Sequence, residues 1–145
     1  PEFSVASKDY IQIAHAIQKI TTEEATIAIR AAGTIPYHAE RPAVDMLGKM
    51  DPVIALSPPH IKPSLNGIIE FRPGHNKWDA MHSVVALQPD LLVQLVKDPK
   101  ETNPLALEFV EENYLIIEID GYSFTALAES PYILWDAADD FYPTP

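Results

Sequence analysis

The chain has 145 residues, of which 47% are apolar, and no cysteine; its ten Lys and Arg face 21 Asp and Glu, a formal charge of −11. That length fits one domain with an ordinary core. The charge disfavours non-specific binding to nucleic acid or anionic headgroups, and the absence of cysteine excludes disulfides, thiolate nucleophiles and Cys-ligated zinc.

No run approaches the ~18–20 apolar residues of a membrane span, and no signal peptide is visible. Pro1-Glu2-Phe3 reads as a cloning remnant, which makes Ser4 read as a cut inside a longer protein. Residues 4–135 are expected to form a single soluble α/β domain, and 136–145 a frayed, Pro-ended tail.

Residues 7–20 read as an amphipathic helix. Tyr10, Ile13, Ala14, Ile17 and Ile20 recur at helical spacing, Ser7 can cap it and Asp9 suits its first turn. Thr21-Thr22-Glu23-Glu24 is a polar break. Residues 25–30 read as a short buried strand, with a helix over 23–32 as the rival. One helical turn is expected over 35–39 and a second strand over 42–46. Residues 51–56 suggest a helix with Asp51 as cap and Pro52 at its first position. Pro58, Pro59 and Pro63 make 57–66 an irregular surface loop.

Residues 78–87 read as a helix led in by Asn76 or Asp79, followed by a turn at Pro89-Asp90. Residues 91–96 read as a strand covered on both faces, as in a parallel sheet. A helix is expected over 104–112. Strands over 114–119 and 122–127 flank Asp120-Gly121, a strong hairpin signal. Residues 132–135 can add a strand end. This order implies a three-layer α/β domain whose mostly parallel sheet carries a C-terminal antiparallel hairpin. Ligand crevices in such sheets open beyond the carboxyl ends of the strands.

The functional side chains gather in two loop-like clusters, 33–52 and 73–79. No glycine pattern there cradles phosphate, no GxSxG elbow exists and the five histidines form no HExxH. His38, Asp45, Asp51, His75 and Asp79 are mixed N and O donors, but their spacing matches no ligand signature, so neither metal nor cofactor is expected. Each candidate also has a structural reading. Asp45 can close a strand-end turn, Asp51 can cap a helix, Arg41 can pair with an acid, and Trp78 can sit in the core. Together, Tyr37, Trp78, Arg41, Asp45, His75 and Asp79 are residue types that carbohydrate sites use, with aromatic faces for sugar C–H surfaces and bidentate groups for hydroxyls. If the clusters share a crevice, Asp45 or Asp51 should lie within about 2.7–3.2 Å of His75, Asn76 or Lys77.

The run 31–37, with Gly33-Thr34-Ile35-Pro36-Tyr37, then Arg41-Pro42-Ala43-Val44-Asp45-Met46-Leu47-Gly48-Lys49-Met50-Asp51-Pro52-Val53-Ile54-Ala55, then Pro73-Gly74-His75-Asn76-Lys77-Trp78-Asp79, resembles the extracytoplasmic C-terminal region of bacterial multi-spanning glycosyltransferases. These are similar to the dolichyl-phosphate-mannose mannosyltransferase and arabinosyltransferase group, which use polyprenyl-phosphate-linked sugars. In that family the catalytic acid lies in a loop of the membrane domain, which this chain lacks. The resemblance therefore implies a non-catalytic, periplasmic accessory domain that positions an acceptor glycan or glycolipid, or braces the membrane domain of the same chain. The candidate substrate-binding residues are Tyr37, Arg41, Asp45, Asp51, His75, Asn76, Lys77 and Asp79.

Two rivals remain. From Glu101 onward there are ten acids and no Lys or Arg. That segment is either a solvated face or the surface of a free-standing acidic inhibitor with a basic partner. A small hydrolase using Asp45 or His75 has no nucleophile–base pattern behind it.

Overall fold

The structure is a computed structural model that describes residues 2–30, 32–60, 74–94 and 103–144, with side chains from residue 8 onward. Helix α1 (Glu2–Ile20) buries Ala14, Ala16, Ile17 and Ile20. It ends where the Thr21 hydroxyl turns back and donates to the Ile17 carbonyl at 2.7 Å. Strand β1 (Ile27–Ile29) is buried throughout, so the strand reading of this stretch holds over the helical one. Helix α2 (Thr34–Ala39) packs on α1, and β2 (Ala43–Asp45) and the short α3 (Pro52–Leu56) follow.

Residues 81–86 form a helix of π type (Met81–Ala86) where an ordinary helix was expected. Its wide winding is visible in the Leu87 N–H, which donates to the His82 carbonyl five residues back at 3.1 Å. Strand β3 (Leu91–Leu92) is short, and residues 95–96 of the expected strand lie outside the described residues. So do residues 61–66 of the expected loop. Helix α4 (Pro104–Asn113) starts at an Asn103 cap. Then β4 (Tyr114–Ile119) and β5 (Tyr122–Leu127) form the hairpin. Asp120 and Gly121 both take positive φ, 52° and 79°, as a two-residue turn matched to strand twist requires.

The sheet order is β2-β1-β3-β5-β4-β6. The β1–β2 and β1–β3 pairs are parallel, whereas β3–β5, β4–β5 and β4–β6 are antiparallel. The domain is thus α/β with a six-stranded mixed sheet, not a mostly parallel one. The tail is the main reason. Within the stretch expected to fray, β6 (Asp140–Pro143) pairs along β4. The Asp139 N–H donates to the Glu118 carbonyl at 2.8 Å, and the Tyr142 hydroxyl to the Glu118 carboxylate at 2.7 Å. The polar residues and prolines around it hid a short strand whose partner lies over twenty residues upstream. The strand end expected over 132–135 is a single bridge between Ile133 and Thr21, followed by a 3-10 turn.

Alternation along β1 divides the core. Ile27 and Ile29 join α1, α2 and the β4–β5 hairpin in one apolar cluster. Ala28 and Leu92 join Val84, Val110 and Tyr114 in a second.

Candidate functional site

The parallel strands point their carboxyl ends toward the loop 46–51. At the end of β2, Asp45 is buried, and its carboxylate accepts from the Leu47 N–H at 3.0 Å and the Met50 N–H at 2.7 Å. The loop folds back over its own strand, and the Gly48 N–H donates to the Asp45 carbonyl at 3.2 Å. Gly48 has φ +71°, and a Cβ on it would lie 2.6 Å from Ile54 Cγ2 and 2.9 Å from the Ala55 nitrogen. Only glycine fits there.

Asp51 starts α3. Its Oδ1 accepts from Val53 and Ile54 N–H groups at 2.9 and 3.0 Å. Its Oδ2 lies 3.0 Å from His82 Nε2, which ties α3 to the π-helical segment. Burial pushes the Asp51 carboxyl pKa up, but the Ile54 N–H, His82 and the Val53 N–H together outweigh it and hold the group below the usual carboxylate range.

The second loop, 74–79, packs against the first. Gly74 has φ +72° and seats the Lys49 stem, since a Cβ would lie 3.0 Å from Lys49 Cε. Lys77 Nζ donates to the Ala55 carbonyl. The His60 N–H donates to the Asn76 carbonyl at 2.6 Å. Its Nε2 donates to the Trp78 carbonyl at 3.0 Å, and the two rings stack at 4.2 Å. Asp79 leads in the π-helical segment by accepting from the His82 N–H at 3.0 Å.

Between the loops opens a crevice of about 190 Å³. Leu47, Gly48 and Lys49 line it from the first loop, Ala55 and Pro59 from α3 and its exit, and Gly74, Asn76 and Lys77 from the second. Its walls are apolar; its polar groups are two ammoniums and an amide. Such a set can bind hydroxyl or acidic groups. Among the described residues, no three His, Cys, Asp or Glu gather to hold a metal ion.

Of the residues singled out from sequence, Asn76 and Lys77 line this crevice and His75 lies exposed on its second loop. Asp45, Asp51 and Asp79 shape the surrounding backbone instead. The carboxylate bonds expected toward the second loop give way to backbone donors and His82, because each carboxylate sits where unpaired N–H groups need an acceptor. Tyr37 is 78% exposed on α2, and no residue of 33–37 lines the crevice. Arg41 is drawn to the other end of the strands. Its guanidinium donates to the Thr21 hydroxyl and carbonyl at 3.1 and 3.0 Å, and to the Ala39 and Glu40 carbonyls at 3.1 and 3.3 Å. Trp78 is half-buried, with one face covered by His60.

Sequence reasoning passed over Lys49, Ala55, Pro59 and His82. Lys49 had one signal, its place beside a glycine that opens a loop after a strand. His82 had none, because its partner lies 31 residues away.

Residues 3–140 match a family described as a domain of unknown function, DUF8728, and the chain belongs to that family. No curated protein and no solved structure matches it.

Proposed function

We propose that this chain is an accessory domain of a polyprenyl-phosphate-sugar-dependent membrane glycosyltransferase, sited on the extracytoplasmic face. It holds an acceptor glycan or glycolipid and does no chemistry itself. One observation carries the reading. The loops 46–51 and 74–79, which belong to two of the three runs of the glycosyltransferase resemblance, meet at a crevice beyond the carboxyl end of β2. Lys49, Asn76 and Lys77 are its hydrogen-bonding groups, and the apolar walls suit sugar C–H surfaces.

In this reading the scaffold is three-layered. Helices α1 and α2 lie against one face of the sheet, and α4 with the π-helical segment against the other. The two separate apolar clusters support that arrangement.

The test is an NMR titration with candidate acceptor glycans. Shifts confined to 47–49, 55, 59 and 74–77 are expected, at weak affinity because a shallow polar site gains little after ordering costs. No shifts at millimolar glycan would remove the acceptor role and leave a structural brace.

A further inference from the structure

Strand β6 closes the sheet order. It pairs with β4 along one edge and, among the described residues, with no strand along the other. All four of its residues are exposed. Successive side chains of a strand point to opposite faces. On one face the Phe141 ring, 51% exposed, meets Trp135 edge-on, with the ring centroids 5.5 Å apart. On the other, Tyr142, 42% exposed, donates its hydroxyl to the Glu118 carboxylate. A free strand edge is a template for another chain. This edge is poor in donors. Pro143 has no N–H, and the Phe141 N–H already donates to the Asp140 carboxylate at 2.8 Å. Acceptors abound in the strand carbonyls and in the carboxylates of Asp136, Asp139, Asp140 and Glu118.

We propose that the outer edge of β6 docks an extended, arginine- or lysine-rich segment of a partner protein. Laid along the edge, such a segment alternates its side chains between the same two faces as β6. Its cationic groups, which only donate, meet the four carboxylates and reach over the rings of Phe141 and Tyr142.

Charge complementarity argues for this occupant. From Glu101 to the end the chain has ten acids and no Lys or Arg. Among the described residues, no base pairs with Glu118, Asp136, Asp139 or Asp140. The described bases lie elsewhere or are taken. Arg30, Arg41, Lys49 and Lys77 belong to β1, β2 and the loops around them, toward the opposite edge of the sheet. Lys19 of α1 reaches the β4–β5 turn, where Asp120 pairs with it at 2.7 Å. Lys8 lies about three turns back along the same helix. The chain beside β6 adds acids instead. The Thr144 hydroxyl donates to the Val110, Glu111 and Tyr114 carbonyls, at the end of α4 that carries Glu111 and Glu112. A second copy of this chain would set one acidic edge against another, which like charges oppose.

This inference stands apart from the glycan reading, whose crevice lies at the β2 side of the sheet. The test is an NMR titration of the 145-residue chain with a synthetic peptide that alternates Arg with Thr. The same peptide with Glu in place of Arg, and spermine, are the controls. Shifts confined to 135–143 and Glu118 are expected with the Arg peptide and none with the Glu peptide, and binding should weaken as salt rises. Asp136→Asn combined with Asp140→Asn should weaken it about fivefold, and Phe141→Ala about threefold. Both Asp side chains are exposed, and an amide at position 140 still accepts from the Phe141 N–H. The double variant should therefore keep the wild-type thermal melt, and it decides the matter even where Phe141→Ala fails to fold. No shifts with the Arg peptide overturn the proposal. So do shifts spread over acids away from β6, binding unchanged by the double variant, or spermine matching the peptide, which marks charge alone. Glycan shifts at the crevice are read separately on the same protein, so either reading can fail without the other.

Discussion

The two ends of the parallel strands use the same kinds of residue for different purposes. At the amino ends Asp90 and Arg41 are tied inward. Asp90, just before β3, accepts from the Thr26 N–H at 2.7 Å and the Ser130 hydroxyl at 2.6 Å. Ser130 in turn accepts from the Tyr132 N–H at 3.1 Å. The Tyr114 hydroxyl donates to the Pro89 carbonyl at 2.9 Å. Burial, with the nearby Asp90 charge, pushes its pKa far above the ordinary tyrosine value, so it stays a neutral donor. Arg41 straps α2 to the end of α1. At the carboxyl ends Asp45 is tied inward too, yet among the described residues no carboxylate pairs with Lys49, and a crevice opens beside it. The difference teaches that a charged residue's role follows from which end of the strand it flanks. Chain entering a strand must satisfy buried backbone donors, whereas loops leaving parallel strands diverge and leave room.

The sharpest way to break this comparison is Asp90→Ala. It orphans the Thr26 N–H and the Ser130 hydroxyl inside the fold, at a cost of about 4 kcal/mol for two donors to a buried carboxylate. Urea unfolding should show the loss as a lower midpoint at unchanged slope. The folded fraction should keep wild-type glycan shifts. A folded variant that has lost those shifts would mean the two ends are not independent.

Gly48→Ala follows in size and should strike both stability and binding. The added methyl meets the buried Ile54 side chain and the Ala55 backbone, at a φ that L-residues rarely adopt. Overpacking and backbone strain together cost about 3 kcal/mol. Since Gly48 and Ala55 both line the crevice, the glycan-induced shifts should disappear even where the protein remains folded. Full retention of those shifts would place the binding surface elsewhere.

How much of this was legible in the sequence depends on the range of the signal. The Asp51-Pro52 helix start, the Asn103-Pro104 start and the Asp120-Gly121 hairpin are local chemistry, and all three appear where the pattern puts them. β1 and β2 were legible as short apolar runs. β6 was not, because its pairing with β4 depends on residues far upstream and its own four residues, one acid and one proline among them, show no alternating pattern. In the candidate site, the loops were legible from glycine, proline and charge. The roles within them were not. Asp45, Asp51 and Asp79 satisfy nearby N–H groups, a local job that looks identical in sequence to ligand binding. Arg41 sits only four residues before Asp45 but at the other end of a strand, which no composition argument separates. The Asp90–Ser130 link joins residues 40 apart and carries no motif.

The smallest expected effect concerns Asp51, which supports the crevice without lining it. Asp51→Ala removes the cap of α3 and the contact with His82, and should cost about 1 kcal/mol at neutral pH. The folded-state pKa of this carboxyl is lowered. Its charged form is therefore favoured by folding, and its contribution is fully present above the unfolded value of about 3.9. As pH falls below that value and through the lower folded one, the native carboxylate takes up its proton and the contribution is lost. The stability gap between wild type and Asp51→Ala should thus be constant from neutral pH down to about 5 and shrink below about 4. Comparing the two proteins at each pH cancels the titration of the other acids. A gap that stays constant into strong acid would show that Asp51 caps α3 by shape rather than charge. A gap that shrinks, together with glycan shifts that weaken over the same interval, would tie the crevice directly to the α3 cap.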